Sequence, residues 1–337
     1  MKIIITGGAG FIGSNLILHM LGKHGDLHIL NIDKLTYASD LKFLEGITDR
    51  DRYTFSKIDL VDRPAVKNVV QRFNPDGVIH LAAESHVDNS IKGPEPFIFS
   101  NIVGTFNILE ECRQLWTARK RIQESRFHHV STDEVYGQLG EVGSFTETTP
   151  YAPNSPYSAT KAGSDLLVRA YHHTYGMNVV TTNCSNNFGP HQHDEKLIPT
   201  VIRTALAGKP IPVYGRGQNV RDWLWVGDHC RALDLAYHDG LSGQTYNIGG
   251  RNEWKNLDLV REICSILNES VGKGPGGDYA SLITFVTDRP GHDFRYAIDA
   301  TKIETELGWR HEMKFREALV ETVRWYTGRY GGKVPFR

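Results

Sequence analysis

The sequence predicts a doubly wound parallel α/β sheet with a smaller C-terminal α/β substrate-binding domain, and three observations carry that prediction. Short apolar runs alternate with longer amphipathic segments from the first residue onward. A glycine-rich turn separates the first run from the first helix pattern. After about Cys184 the chain shifts to more Pro, Gly and aromatic residues in shorter, less regular segments.

Taken in order, Lys2–Thr6 reads as a strand, a helix pattern starts at Phe11, and residues 27–33 and 53–59 read as the next two strands. Residues 77–82, 127–132 and 178–183 continue the series, separated by helix-length segments around 97–116 and 155–175. Buried parallel strands read as apolar runs, and helical crossovers join them. A cofactor domain is expected over 1–183, with returning segments near 222–250 that include strands at 222–227 and Thr245–Ile248. The substrate-facing domain then occupies mainly 184–337, and 272–277 reads as a surface loop.

A chain of 337 residues can bury a substantial core and an internal cleft. Lys plus Arg number 38 against 39 Asp plus Glu, a formal net charge of -1, so no global field attracts nucleic acid or an anionic membrane. Phosphate recognition must be local. Cys112, Cys184, Cys230 and Cys264 are widely spaced without a CxxC pair, so neither a disulfide framework nor a structural zinc is expected. With no basic leader and no long apolar stretch, the expectation is a cytoplasmic protein.

The turn Thr6-Gly7-Gly8-Ala9-Gly10-Phe11-Ile12-Gly13 has GxxGxxG spacing. Gly7 suits a tight turn, Gly10 a close backbone approach to a pyrophosphate, and Gly13 close packing of helix on strand, with the helix N-terminus facing the anion. These are the features of a Rossmann-type dinucleotide site. Asp33, ending the second strand, is placed to accept hydrogen bonds from an adenosine ribose and to repel a 2′-phosphate, which favours NAD over NADP. Asp59, ending the third strand, and Leu81-Ala82-Ala83, ending the fourth, would bound the cofactor at the carboxyl edge.

Tyr157 and Lys161 stand four apart in a helical pattern and so share a face. A nearby ammonium and a cationic nicotinamide would stabilise the phenolate and make it a base near neutrality. Ser131-Thr132-Asp133-Glu134 follows the fifth strand and projects a hydroxyl and two carboxyl groups at the sheet edge. One carboxyl can remove a proton next to a carbonyl while the other, kept protonated by burial or by its neighbour, donates to a leaving hydroxyl.

Tyr-x-x-x-Lys at 157–161, the early GxxGxxG and Thr-Asp-Glu-Val-Tyr-Gly from Thr132 together resemble the extended short-chain dehydrogenase/reductase family. The resemblance continues through Leu81-Ala82-Ala83-Glu84-Ser85-His86-Val87-Asp88, Asn183-Cys184-Ser185-Asn186-Asn187-Phe188-Gly189-Pro190, Glu195-Lys196-Leu197-Ile198-Pro199, Arg221-Asp222-Trp223 and Asp288-Arg289-Pro290-Gly291-His292-Asp293. It implies a lyase that converts dTDP-glucose to a 4-keto-6-deoxy sugar nucleotide with tightly bound, regenerated NAD. In that scheme Tyr157 takes the C4 hydroxyl proton as hydride leaves C4, and Thr132 hydrogen-bonds the same oxygen. Glu134 then removes the C5 proton, Asp133 protonates the departing C6 hydroxyl, and hydride returns to C6.

The same resemblance adds Lys34, Leu35, Thr36, Leu60, Ser85, Ser100 and Asn187 to the cofactor set. It implies a substrate set of Ser85, Thr132, Asn186, Asn187, Lys196, Leu197, Pro212, Tyr214, Arg221, Asn256, Arg289, His292 and Tyr296, with Arg221 and Arg289 anchoring the diphosphate. It also implies a homodimer through a helical bundle built from 97–116 and 155–175. Asn89, His191 and Asp194 depart from the family pattern, where Arg, Tyr and Pro are usual.

The histidine pairs His128-His129, His172-His173 and His191-x-His193 predict no metal, because no carboxylate or Cys recurs beside them at ligand spacing. Relatives that share Tyr157, Lys161 and the glycine turn, among them GDP- or UDP-sugar dehydratases, 4-epimerases and decarboxylases, remain alternatives. A nucleotide-sensing protein without turnover is a further one. The Asp133-Glu134 pair discriminates, since an epimerase needs no acid for a leaving group at C6.

Overall fold

Three consecutive isoleucines, Ile3, Ile4 and Ile5, give the central strand two apolar faces, and each is completely buried. Alternate side chains of a strand point to opposite faces. Ile3 and Ile5 join Leu16, Ile17 and Met20 of the Phe11–Lys23 helix, whereas Ile4 joins Val66 and Val70 of Arg63–Phe73 and Ile108 and Trp116 of Gly104–Ala118. Burying each isoleucine contributes about 1.5–3 kcal/mol, so helices on both faces clamp one strand.

The computed structural model describes residues 1–288 and 291–331, so Arg289 lies outside the described residues. Its strands are β1 (Lys2–Thr6), β2 (His28–Asp33), β3 (Tyr53–Lys57), β4 (Gly77–His80), β5 (Arg126–Thr132), β6 (Val179–Cys184), β7 (Asn186–Phe188), β8 (Ile211–Tyr214), β9 (Val220–Trp225), β10 (Thr245–Ile248), β11 (Glu253–Lys255) and β12 (Ile283–Val286). Seven form one sheet in the order β10-β6-β5-β4-β1-β2-β3, with every neighbouring pair parallel. Strand order reverses between β1 and β4. A doubly wound sheet opens its binding crevice at the carboxyl ends beside that reversal.

Two smaller sheets, β11-β9-β7 and β12-β8, lie with the Leu197–Leu206, Asn256–Ser270 and Phe315–Gly331 helices around a second apolar cluster. The chain crosses back to the large sheet at the Val226–Asp239 helix and β10. It returns once more at Ala300, Ile303 and Trp309, which join the first cluster.

The strands expected over 53–59 and 77–82 end early, at Lys57 and His80, so Asp59 and Leu81-Ala82-Ala83 follow their strands rather than end them, and two larger departures occur. The segment 97–116 is not one regular helix: Glu95–Phe97 leads into a π-type turn over Ile98–Val103 before Gly104–Ala118. Within that wide turn Asn101 is pinned, its Oδ1 accepting from Glu84 N at 2.8 Å and its Nδ2 donating to Thr160 Oγ1 at 2.9 Å. The strand expected over 222–227 ends at Trp225, because Val226 already begins a helix whose first turn carries Asp228, a favourable charge at a helix N-terminus. No helix among the described residues is long and apolar enough to cross a membrane.

Candidate active site

Gly7 has a φ of +71°, in the left-handed region, and a Cβ there would lie 2.8 Å from the backbone of Ala82. Glycine alone meets both demands. At Gly13 a Cβ would stand 2.2 Å from the Gly7 carbonyl oxygen, so the helix can sit on the turn only without a side chain. The Phe11–Lys23 helix begins at Gly10 with no side-chain cap and no acidic residue in its first turn. Its free amides and positive dipole end therefore face the crevice as an anion site.

Asp33 closes β2 and is buried, with Oδ2 accepting from Ala9 N at 3.1 Å and Oδ1 from Leu35 N at 2.8 Å and Ser39 Oγ at 3.0 Å. The carboxylate thus ties the loop after β2 to the glycine turn. Lys34 Nζ reaches Ser100 Oγ at 2.8 Å and Glu84 at 3.2 Å, and Asp59 Oδ1 accepts from Val61 N at 3.0 Å. A cleft of about 310 Å³ runs from this point across the sheet edge. Its wall includes Gly7, Gly10, Phe11, Ile12, Gly13, Asp33, Lys34, Thr36, Asp59, Leu60, Leu81, Ala82, Ala83, Ser85 and Ser100. The residues fit NAD: a glycine-lined helix N-terminus for the pyrophosphate, and an acidic strand end for the ribose.

Tyr157 and Lys161 enter the same cleft from the Pro156–Tyr175 helix. That helix starts firmly, since Ser155 Oγ accepts from Ser158 N and Ser158 Oγ accepts from Ser155 N, both at 3.1 Å, with Pro156 following the cap. Such caps contribute about 1 kcal/mol. One turn on from Lys161 stands Asp165, which accepts from Ser131 Oγ at 2.8 Å and Tyr151 Oη at 3.0 Å and pairs with His129 Nε2 at 3.0 Å.

Lys161 Nζ donates to the Val130 carbonyl at 2.8 Å, and burial lowers its pKa. The protein's own groups act against ionisation of the Tyr157 phenol. Burial, then the charge of Glu134, pushes its pKa well above the ordinary tyrosine value, while a hydrogen bond with Thr132 acts the other way. A lysine committed to a carbonyl in a desolvated pocket does not by itself produce a phenolate.

Thr132 caps a single turn over Asp133–Tyr136, its Oγ1 accepting from Glu134 N at 3.3 Å. That turn separates the two carboxyl groups. Glu134 lines the cleft, whereas Asp133 is only 2 % exposed and its Oδ2 has no hydrogen-bond partner among the described residues. Burial, then Glu134 and Asp222, hold the Asp133 pKa well above the carboxylate range despite the opposing charge of Arg221. Burial thus favours the protonated form of one carboxyl group beside another that meets the cleft.

Asn186, Asn187 and Lys196 complete the wall on the far side. The remaining expected residues that are described do not line this cleft. Leu35 serves through its backbone, at a left-handed φ of 60°, and Leu197 begins the helix after Lys196. Arg221 lies on β9, donating to the Asp293 and Val220 carbonyls, with its guanidinium 4.3 Å from the Tyr296 ring. Pro212 and Tyr214 are on β8, Tyr214 meets His292 edge to face, and Asn256 opens the Asn256–Ser270 helix. This second group meets the first through Arg221, whose charge acts on Asp133, and through Tyr296, whose phenol pKa is raised by burial and then by Glu134.

Sequence reasoning passed over Glu84, Cys184, Gln192, His193 and Glu195, all of which line the cleft. Most are neighbours of residues already singled out, and that adjacency was the available signal. The three departures from the family pattern all have contacts. His191 stacks on Phe43 with centroids 4.1 Å apart, Asn89 Nδ2 donates to Tyr37 Oη at 3.2 Å, and Asp194 accepts from Tyr330.

The family model described as GDP-mannose 4,6 dehydratase matches residues 4–322. The dTDP-glucose 4,6-dehydratase of Salmonella typhimurium is 53% identical over 337 residues, covering 97% of this chain and 92% of its own. The crystal structure of the Streptomyces venezuelae dTDP-glucose 4,6-dehydratase with NAD bound superposes with a TM-score of 0.89 at 42% identity, covering 98% of each chain. That of the Bacillus anthracis enzyme in complex with NAD gives 0.86 at 43%, again over 98% of each. Similarity of this extent, spanning the glycine turn, the helix of Tyr157 and the second lobe alike, means that the chain belongs to the GDP-mannose 4,6-dehydratase family and, within it, groups with the dTDP-glucose 4,6-dehydratases.

Proposed function

We propose that this chain is a lyase that dehydrates dTDP-glucose to dTDP-4-keto-6-deoxyglucose with NAD as a resident cofactor. The observation that carries the reading is the contrast between Asp133, buried with its pKa raised, and Glu134, its neighbour on the cleft wall. Elimination of water needs an acid and a base together, and this turn supplies both.

Gly7, Gly10, Gly13, Asp33 and Lys161 hold NAD along the carboxyl edge of the sheet. When bound, NAD supplies a hydride acceptor for C4, a donor for C6 and the positive charge that the Tyr157 phenol lacks. Tyr157 takes the C4 hydroxyl proton, and Thr132 orients that oxygen. Glu134 removes the C5 proton, made acidic by the new 4-ketone. Asp133 gives its proton to the C6 hydroxyl, which leaves as water, and Glu134 returns a proton to C5. Arg221, with Arg289, anchors the diphosphate, and Ser85, Asn187, Lys196 and Tyr296 surround the sugar.

On this reading residues 1–183, with the returning segments, form the cofactor half, and the later residues mainly the nucleotide-sugar half. A homodimer is proposed through the segments 97–116, which include the Ile98–Val103 turn, and 155–175. Its support is the exposure of Ile98 (47 %), Phe99 (46 %) and Leu166 (58 %) in these helical segments, large apolar side chains that a partner would cover. The four buried, unpaired cysteines suit a reducing cytoplasm.

The test is turnover of dTDP-glucose in deuterated water. Loss of water, deuterium at C5 and no net NADH support the dehydratase. Release of a C4 epimer with the C6 hydroxyl retained would assign the epimerase alternative instead.

A further inference from the structure

Outside the cleft, the Phe11–Lys23 helix and the Val226–Asp239 helix are joined by one carboxylate. Asp234 is 1 % exposed at its side chain, and four donors converge on it. Lys23 Nζ at 2.8 Å and His19 Nε2 at 3.1 Å meet Oδ2, whereas His24 Nε2 at 2.9 Å and His238 Nδ1 at 3.0 Å meet Oδ1. The two oxygens therefore have different company. One is tied by an ammonium, and the other faces two imidazole nitrogens from opposite helices.

We propose that His24, Asp234 and His238 form a binding site for a borderline divalent transition-metal ion of the Zn²⁺ or Ni²⁺ type. Their ligand atoms lie within 4.8 Å of one another. Ligands about 2.0–2.1 Å from an ion are themselves roughly 3 Å apart; both nitrogens already stand 2.9–3.0 Å from Oδ1, and ion binding draws the two rings, whose ligand atoms lie within 4.8 Å, to that spacing from each other. Two imidazoles and a carboxylate suit such ions, and water can fill the remaining positions. Lys23 and His19 act as supporting contacts that fix the rotation of the carboxylate.

Binding requires that His24 Nε2 and His238 Nδ1 carry no proton. Each imidazole moves its proton to the other ring nitrogen, and His238 gives up its 2.9 Å contact with the Asp234 carbonyl. The rings are already stacked, with centroids 4.8 Å apart, and partly exposed, so solvent can receive the relocated N–H groups. An ion there would tie the helix that carries the glycine turn to the helix that returns to the sheet.

The test is calorimetric titration of ZnCl₂ into the tag-free, chelator-treated full chain, with melting temperature followed in parallel. One saturable site, a rise in melting temperature, and at least tenfold weaker binding in H24A/H238A but not in H173A are expected. Electron paramagnetic resonance of the Cu²⁺-loaded wild-type chain gives a readout independent of variant folding, and two coupled imidazole nitrogens are expected. Absence of saturable zinc binding, unchanged affinity in the double variant, or a copper spectrum without nitrogen coupling overturns the proposal.

Discussion

Asn187 Oδ1 lies 2.8 Å from His229 Nδ1, and this contact decides which way the Asn187 amide faces. Burial lowers the His229 pKa to about 3, so the ring is neutral, and its N–H must sit on the nitrogen that meets a carbonyl oxygen. Asn187 Nδ2 is then turned toward Cys184 Sγ at 3.3 Å and the Ser185 carbonyl at 3.0 Å. Replacing His229 with Ala removes that donor. Losing such a hydrogen bond costs about 1 kcal/mol, so KM for the sugar nucleotide should rise several-fold with kcat less affected, and His229→Asn should restore part of the loss. Equal loss in kcat and kcat/KM would place His229 in the chemical step and sink the positioning role.

Asp133→Asn keeps the shape of the buried side chain but removes the transferable proton. C4 oxidation does not need that proton, so the variant should bind substrate and accumulate reduced cofactor, visible as absorbance near 340 nm, while product formation falls about 10²–10⁴-fold. Wild-type turnover in the variant would remove Asp133 from the proposed mechanism.

A methyl group at Gly13 meets the Gly7 carbonyl oxygen at 2.2 Å, backbone against helix, with no flexible side chain to yield. Gly13→Ala should purify with little or no bound NAD and melt at lower temperature. Gly22, whose added Cβ would meet nothing within 4 Å in the same helix, is the control, and Gly22→Ala should retain cofactor. Equal cofactor content in the two variants would contradict the packing argument.

Four buried histidines, His80, His128, His129 and His229, have pKa values lowered mainly by burial. Their folded values lie below the unfolded value of about 6.5, so the unfolded chain binds more protons in acid. Stability should fall as pH drops below 6.5 and continue falling toward about 3 for His229, by up to about 1.4 kcal/mol per pH unit for each ring. Asp133 and Asp222, with raised values, act in the opposite sense. The informative comparison is therefore between chains: urea midpoints of His128→Gln, measured between pH 7 and 5, should decline less steeply than wild type. Parallel slopes would refute the burial argument for His128.

The strand series was legible because apolar runs and glycine turns are local signals, and Thr245–Ile248 was placed to the residue. The π-type turn at Ile98–Val103 was not, since it depends on Asn101 finding Glu84 and Thr160 across the fold. Asp133, Glu134, Tyr157 and Lys161 could be read as a group, but their protonation could not. The direction of the Tyr157 shift follows from burial and from Glu134, both consequences of packing. His229 carried no local pattern, since its partner stands 42 residues away. Asp234 has His238 four residues on, but its other partners, Lys23 and His24, are more than 200 residues away.

The outermost strand next to β6 is β10, and the chain must build 60 residues, from Ser185 to Gln244 and including the first part of the second lobe, before that strand exists. A nascent chain that has emerged only as far as β6 therefore shows a fully buried strand, VVTTNC, with one edge of backbone amides and carbonyls still bare. The first lobe cannot finish its own sheet. Synthesis order and fold order thus disagree at this edge, and the interval while β10 is being made is when the chain most needs protection from pairing with a neighbour's strand.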